Sequence, residues 1–174
     1  AFGFNFPQKG FGRLLDLLRG RPDLGLDLLL LSHPRHPPTE TAWERAAAGL
    51  PVRRVRDFLP VAEIVRRLAA GADLLVFWYD DLPAEVASYA ARIGLASGVP
   101  LLCSPTVWFR DLRAVTYQPP GTSDADLAAG VERLLADGAL RERLTATARA
   151  HCAGHTWAEI GRRHRVLWSE IAAR

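Results

Sequence analysis

The stretch "DLLVFWYDDLPAEVASYAARIGLASGVPLLC", residues 73–103, reads as strand, helix, strand. Its opening residues, 73–79, are apolar enough after Asp73 to be covered on both faces, as strands of a parallel sheet are. "AEVASYAARIGLAS", residues 84–97, repeats small and apolar side chains at helical spacing and stops before Gly98. "VPLLC", 99–103, then reads as a second buried strand. A helix between two such strands is the crossover that parallel pairing requires.

The same alternation extends in both directions. Upstream, "AFGFNF" (1–6) reads as a strand lacking its natural start, followed by the loop "PQKG" (7–10). Phe11, Leu14, Leu15 and Leu18 recur at helical spacing up to Gly20, and "LGLDLLLLS" (24–32) is another buried strand. After the loop "HPRHPP", Thr41 and Glu44 have capping-box spacing for a short helix through about Ala48. "PVRRVRD" (51–57) reads as a strand and "VAEIVRRLAA" (61–70) as a helix. Downstream, Ser104 and Pro105 suit the cap and first position of a short helix, and "AVTYQPP" (114–120) suits a last strand. Leu127, Val131, Leu134 and Leu135 mark one amphipathic helix and "LRERLTATARAH" (140–151) a second. Thr156 with Glu159 caps a final helix to about Ala172. The pattern predicts an α/β fold: a Rossmann-like, doubly wound parallel sheet of about six strands with helices on both faces. A length of 174 residues suits one domain.

Composition narrows the classes. The chain is 49% hydrophobic and 24% charged, with no apolar run near the roughly 18 residues of a membrane span, so no transmembrane segment is expected. The start carries no signal-peptide pattern, and two cysteines, Cys103 and Cys152, form no disulfide framework; a cytoplasmic location is expected. A net charge of +3 is spread through the chain apart from "RRVR" (53–56) and "RRHR" (162–165). Without aromatic-interleaved basic stretches, nucleic acid is not an expected partner.

Ligands of such sheets bind outside the carboxyl ends of the strands. That edge should carry Pro7 to Gly10, His33 to His36, Phe58 to Pro60, Tyr79 to Glu85 and Ser104 to Thr106. The dinucleotide fingerprint, the P-loop and the serine-hydrolase elbow are all absent, which argues against nicotinamide enzymes, P-loop ATPases and serine hydrolases. Lys9, the only lysine of the chain, sits at a strand-to-helix loop where a cation and free amide groups can converge on a phosphate. Asp80 and Asp81 suit a solvated turn better than a metal site. "HCAGH" (151–155) has no fourth ligand nearby and suits a helix junction. No metal is expected.

Residues 79–102 resemble the most recognisable segment of the retaining glycosyltransferases of GT-B architecture, the group 1 family: an acidic loop, a helix, then Gly98, Val99, Pro100 and a buried strand. Pro7, Lys9 and Gly10 are similar to that family's P-x-K-G loop. "DFLP" (57–60), "AAGADLLVF" (69–77), "PPGTSDADLAAGVERLLAD" (119–137) and "HTWAEIGRRHRVLW" (155–168) follow in the family's order, so the resemblance covers nearly the whole chain. It implies the C-terminal, donor-binding half of a two-domain enzyme, the acceptor-binding N-terminal domain lying outside this sequence. The implied donor is a nucleoside diphosphate sugar, with no further cofactor and no general need for a metal.

Carried over position by position, the resemblance gives Lys9 to the donor diphosphate and Glu85 to the donor sugar. Gly10 and the amides of Val86, Ala87 and Ser88 would line the phosphates, and Phe58 and Tyr79 belong to the same ligand edge. Two positions depart from the pattern. The second glutamate of the family's pair falls on Ile93, which cannot accept ribose hydroxyl bonds worth roughly 1.5–3 kcal/mol each. Phe4 stands where the family has an arginine. The intact protein is expected to transfer a sugar to a glycan or lipid-linked acceptor, as in bacterial surface-polysaccharide assembly, at most peripheral to the inner membrane; this half alone should not turn over. The alternatives are a degenerate, non-catalytic GT-B module used for protein contacts, and a GT-B sugar-nucleotide epimerase.

Overall fold

A computed structural model of the protein describes residues 1–34 and 37–173. His36 therefore lies outside the described residues. Four regular strands form: β1 (Leu28–Leu31), β2 (Val52–Val55), β3 (Leu75–Phe77) and β4 (Leu101–Cys103). β1 pairs in parallel with β2, Leu28 facing Val52, and β3 in parallel with β4, Leu75 facing Leu101. Two further parallel bridges, Phe2 to Leu31 and Leu102 to Tyr117, stand where the first and last of the six expected strands were placed. Both are cut short for local reasons. Gly3 turns the chain away at a φ of 132°, and Pro119 and Pro120 follow Tyr117 without amide donors for a ladder.

Among the described residues there are seven α-helices, α1 (Phe11–Gly20), α2 (Pro37–Ala47), α3 (Val61–Gly71), α4 (Tyr89–Ala96), α5 (Asp124–Ala136), α6 (Gly138–Ala153) and α7 (Trp157–Ala172), of which the first six pack on the strands. Alternate strand residues divide between two cores, as a period of two requires. Leu31, Leu75, Phe77, Tyr79, Leu101 and Cys103 pack with α3 and α4 on one face. Leu30, Trp78 and Leu102 pack with α1, α2 and α5 on the other, while α6 reaches both. β1, β3 and β4 are thus covered on both sides, which is why their sequences read as continuously apolar, whereas β2 carries Arg53 and Arg54 and leaves Arg53 exposed.

Several boundaries differ from the sequence expectation. The strand expected from residue 24 begins at Leu28, because Pro22–Leu24 form a 3-10 turn that Gly25 ends at a φ of 58°. α2 starts at Pro37 rather than Thr41, whose hydroxyl instead donates back to Pro37 O at 3.2 Å. α4 starts at Tyr89, five residues after the expected start, because the Ser88 hydroxyl caps it from outside, accepting from Ala91 N at 3.2 Å.

At the amino edge of the strands, between the two paired halves, lies a cavity of about 790 Å³ lined by apolar residues such as Leu14, Leu28 and Val76 and by the charged Asp27, Arg53 and Asp73. The carboxyl edge is built differently, from loops stitched to one another by hydrogen bonds.

Candidate functional site

The carboxyl edge is assembled around the loop that carries Lys9. Pro7–Lys9 make one 3-10 turn, closed by Gly10 in the left-handed region with a φ of 62°. A Cβ at Gly10 would stand 2.0 Å from Trp78 O, so only glycine lets the loop lie against the end of β3. Gln8 O accepts from Asp80 N at 3.0 Å and fixes the two chain segments side by side.

Held there, the Lys9 ammonium sits 4.0 Å above the centre of the Tyr79 ring and 5.3 Å from that of Trp108. The π faces attract it, but burial among rings strips water from it and lowers its pKa from 10.5 to about 8. Among the described residues no carboxylate pairs with Lys9. The acids around it are engaged elsewhere: Asp80 with Arg13 at 3.2 Å, Asp81 with the amides of Leu82 and Val107 at 3.1 Å each, and Glu85 with Arg110. The result is a half-desolvated cation whose charge the protein leaves unneutralised.

The loop 80–88 forms a second wall and is tied to a 3-10 turn, Val107–Leu112, that follows β4. The Trp108 indole donates to Asp80 O at 3.0 Å, and Trp108 O accepts from Ser88 N at 3.2 Å. At the strand ends, Ser104 Oγ accepts from Tyr79 N at 3.0 Å and donates to Tyr79 O at 2.9 Å. These long-range bonds bring Lys9, Tyr79, Glu85 and the start of α4 together at the carboxyl ends of the strands, which pair as two separate two-stranded sheets.

The expected phosphate amides need a correction in kind. Val86, Ala87 and Ser88 precede α4 instead of forming its first turn, so they carry no share of its helix dipole. Ser88 is buried, its amide given to Trp108 O and its hydroxyl spent on the cap. The amides of Val86 and Ala87 have no hydrogen-bond partner among the described residues. Glu85 is exposed, and Tyr79 is buried with its ring as the floor beneath Lys9.

Phe58 lies further along the same edge, beyond β2, and is 74% exposed. Its ring runs nearly parallel to that of Phe4, at 6.5 Å and 14°, and meets His33 edge-on at 5.7 Å. Phe4, His33 and Phe58 thus form one aromatic patch past the ends of three neighbouring chain segments. Ile93 is buried in the core beside α3 and the strands, so its side chain is not on this edge. His151 and His155 stack at 3.9 Å across the α6–α7 junction, and among the described residues no group of three metal-ligating side chains gathers. Trp108 and Arg110 were not singled out in the sequence as site residues; the one available signal was their place just after Ser104 to Thr106 on the ligand edge.

Parallel strands covered on both faces, with a cationic loop at their carboxyl edge, define a doubly wound α/β protein of Rossmann type. Its fold is that of the C-terminal half of group 1 GT-B glycosyltransferases. The C-terminal domain of a group 1 glycosyl transferase (LpcC) from Francisella tularensis superposes with a TM-score of 0.60 at 14% identity, over 84% of this chain and 79% of that one. Sucrose-phosphate synthase from Thermosynechococcus elongatus matches over 99% of this chain and 45% of its own, with a TM-score of 0.74 and 19% identity. HepE from Anabaena, solved in complex with UDP-glucose, matches over 98% of this chain and 48% of its own, with a TM-score of 0.74 and 14% identity. The chain spans about half the length of most of these structures. No family model matches it, and no curated protein matches its sequence.

Proposed function

We propose that this chain is the donor half of a two-domain glycosyltransferase and that it binds a nucleoside diphosphate sugar at the carboxyl edge, with Lys9 on the diphosphate. The observation that carries this reading is the Lys9 ammonium itself: half-desolvated, lodged on two aromatic rings and left without a carboxylate partner among the described residues. An anion arriving there neutralises a charge that the fold has placed and not paired. At about 4 Å and an effective dielectric near 20, such a pair gains roughly 4 kcal/mol before desolvation costs.

Bond cleavage at the anomeric carbon leaves negative charge on the departing diphosphate, and fixed positive groups aimed at it are the main source of stabilisation. Lys9 supplies that charge, and Gly10 lets its loop approach closely. The amides of Val86 and Ala87 are available as further donors, while Ser88 holds their loop in place from behind. Glu85, solvent-facing at the mouth, takes the hydroxyls of the sugar. The patch of Phe58, Phe4 and His33 offers a stacking surface to the nucleobase. The acceptor, a glycan or lipid-linked sugar of the surface-polysaccharide type, is assigned to the other half of the intact protein, so this half alone does not turn over. Transfer proceeds with retention, no resident cofactor beyond the donor is assigned, and the enzyme works in the cytoplasm or at the inner face of its membrane.

Calorimetric titration with uridine, guanosine, adenosine and thymidine diphosphates tests the reading. Binding of at least one, lost in Lys9→Ala, supports it. A second reading, a degenerate scaffold, draws on Ile93 and Phe4, which replace the second glutamate and the arginine of the family's pattern. It requires that no nucleotide binds at millimolar concentration.

A further inference from the structure

Resting on that donor reading, we propose that Arg110 is the second cation of the diphosphate seat, held in reserve by Glu85 until the nucleotide arrives. A diphosphate leaving group carries at least two negative charges, and Lys9 offers one positive charge. A second cation must come from the walls around it. The 3-10 turn Val107–Leu112 is one of those walls: its Trp108 ring lies 5.3 Å from the Lys9 ammonium, and Arg110 stands two residues further along the same turn.

Among the described residues, two other guanidinium groups tied to these loops, those of Arg13 and Arg92, are committed to bracing them. Arg13 bonds Thr122 O at 2.8 Å, Asp80 at 3.2 Å and Asp124 at 3.5 Å, bracing α1 against two loops. Arg92 bonds Ser88 O at 3.0 Å and pairs with Asp111. Arg110 differs in having Glu85 as its ion-pair partner, and both side chains stand in solvent, 64% and 79% exposed. Exposed pairs of this kind are weakly held and cheap to exchange. A guanidinium bonds two phosphate oxygens with its planar fork as readily as a carboxylate, and it stays charged where Lys9 begins to lose its proton.

The two roles are then coupled. The diphosphate displaces Glu85 from Arg110, and the released carboxylate is left at the mouth of the site, where the sugar hydroxyls of the same donor arrive. Glu85 acts as a placeholder in the empty site and as a sugar ligand in the filled one.

The test measures affinity for uridine diphosphate, or for whichever nucleoside diphosphate binds best, in wild type, Arg110→Ala, Arg110→Lys, Glu85→Gln and the Arg110→Ala/Glu85→Gln double variant, with circular dichroism to verify folding. Arg110→Ala should weaken binding about tenfold, about one charge-assisted contact, and Arg110→Lys should recover part of it. Glu85→Gln should tighten diphosphate binding several-fold by removing the competitor, and this gain should vanish when Arg110 is already alanine. Arg110→Ala binding within twofold of wild type, while Lys9→Ala loses binding, would overturn the second-cation role and leave the donor reading standing. Weaker binding in Glu85→Gln would overturn the exchange. Failure of the wild type to bind any diphosphate would overturn both.

Discussion

At the scale of single residues, Lys9 sets the pH behaviour. Burial lowers its pKa from 10.5 to about 8, so between those values the unfolded chain holds the proton that the folded one has released. Stability therefore rises with pH across that window, and below about pH 8 the cost of the buried charge is carried in full. Ligand binding runs the other way, because a phosphate requires the ammonium form. Nucleoside diphosphate affinity should hold steady up to about pH 8 and then fall towards tenfold per pH unit, and Lys9→Arg should flatten the profile. Calorimetry between pH 6.5 and 9.5 reads both, and an unchanged affinity above pH 8 in the wild type would remove Lys9 from the site. Lys9 stood out in the sequence as the only lysine, placed in a loop between an apolar run and a helix, but its seat on the Tyr79 and Trp108 rings did not. Trp108 was not legible as a site residue. An indole just after a buried strand reads as core, and only the folded chain brings its ring to Lys9 and its N–H to Asp80.

At the scale of elements, the strands and helices were readable wherever burial on both faces or a 3.6-residue period dominates, as in β3, β4, α1 and α3. The start of α4 was not. "AEVAS" consists of residues that a helix accepts, and what keeps them out of it is a long-range bond from Ser88 N to Trp108 O together with the Ser88 cap. That cap makes a test: Ser88→Ala leaves the buried Ala91 amide without its partner and should cost about 1 kcal/mol in denaturant unfolding. A loss near zero would mean that the bond to Trp108 alone positions the loop. The first and last strands were overread for a related reason. Apolar residues around Phe2 and Tyr117 fit a strand, yet Gly3 and the Pro119–Pro120 pair limit each to one bridge.

At the scale of the whole molecule, α7 stands apart. It buries none of its residues, and Trp157, Trp168 and Ile171 are 92%, 62% and 59% exposed. Thr156 caps it as its spacing with Glu159 suggested, so local signals form this helix without packing from the two cores. Deleting residues 156–174 should shift the thermal midpoint by less than about 2 °C; a larger drop would reveal support that burial does not account for. The two ends of the strands also divide cleanly. The amino edge holds the cavity of about 790 Å³, and the carboxyl edge holds Lys9, Glu85, Arg110 and the Phe58 patch. The decisive measurement is a map of amide and indole NMR shifts on addition of a nucleoside diphosphate. Changes gathered at residues 8–10, 79–88 and 106–110, including the Trp108 indole N–H, are the expected result. Changes gathered instead at residues 24–28 and 71–76, around the amino-edge cavity, would contradict a donor site built on Lys9.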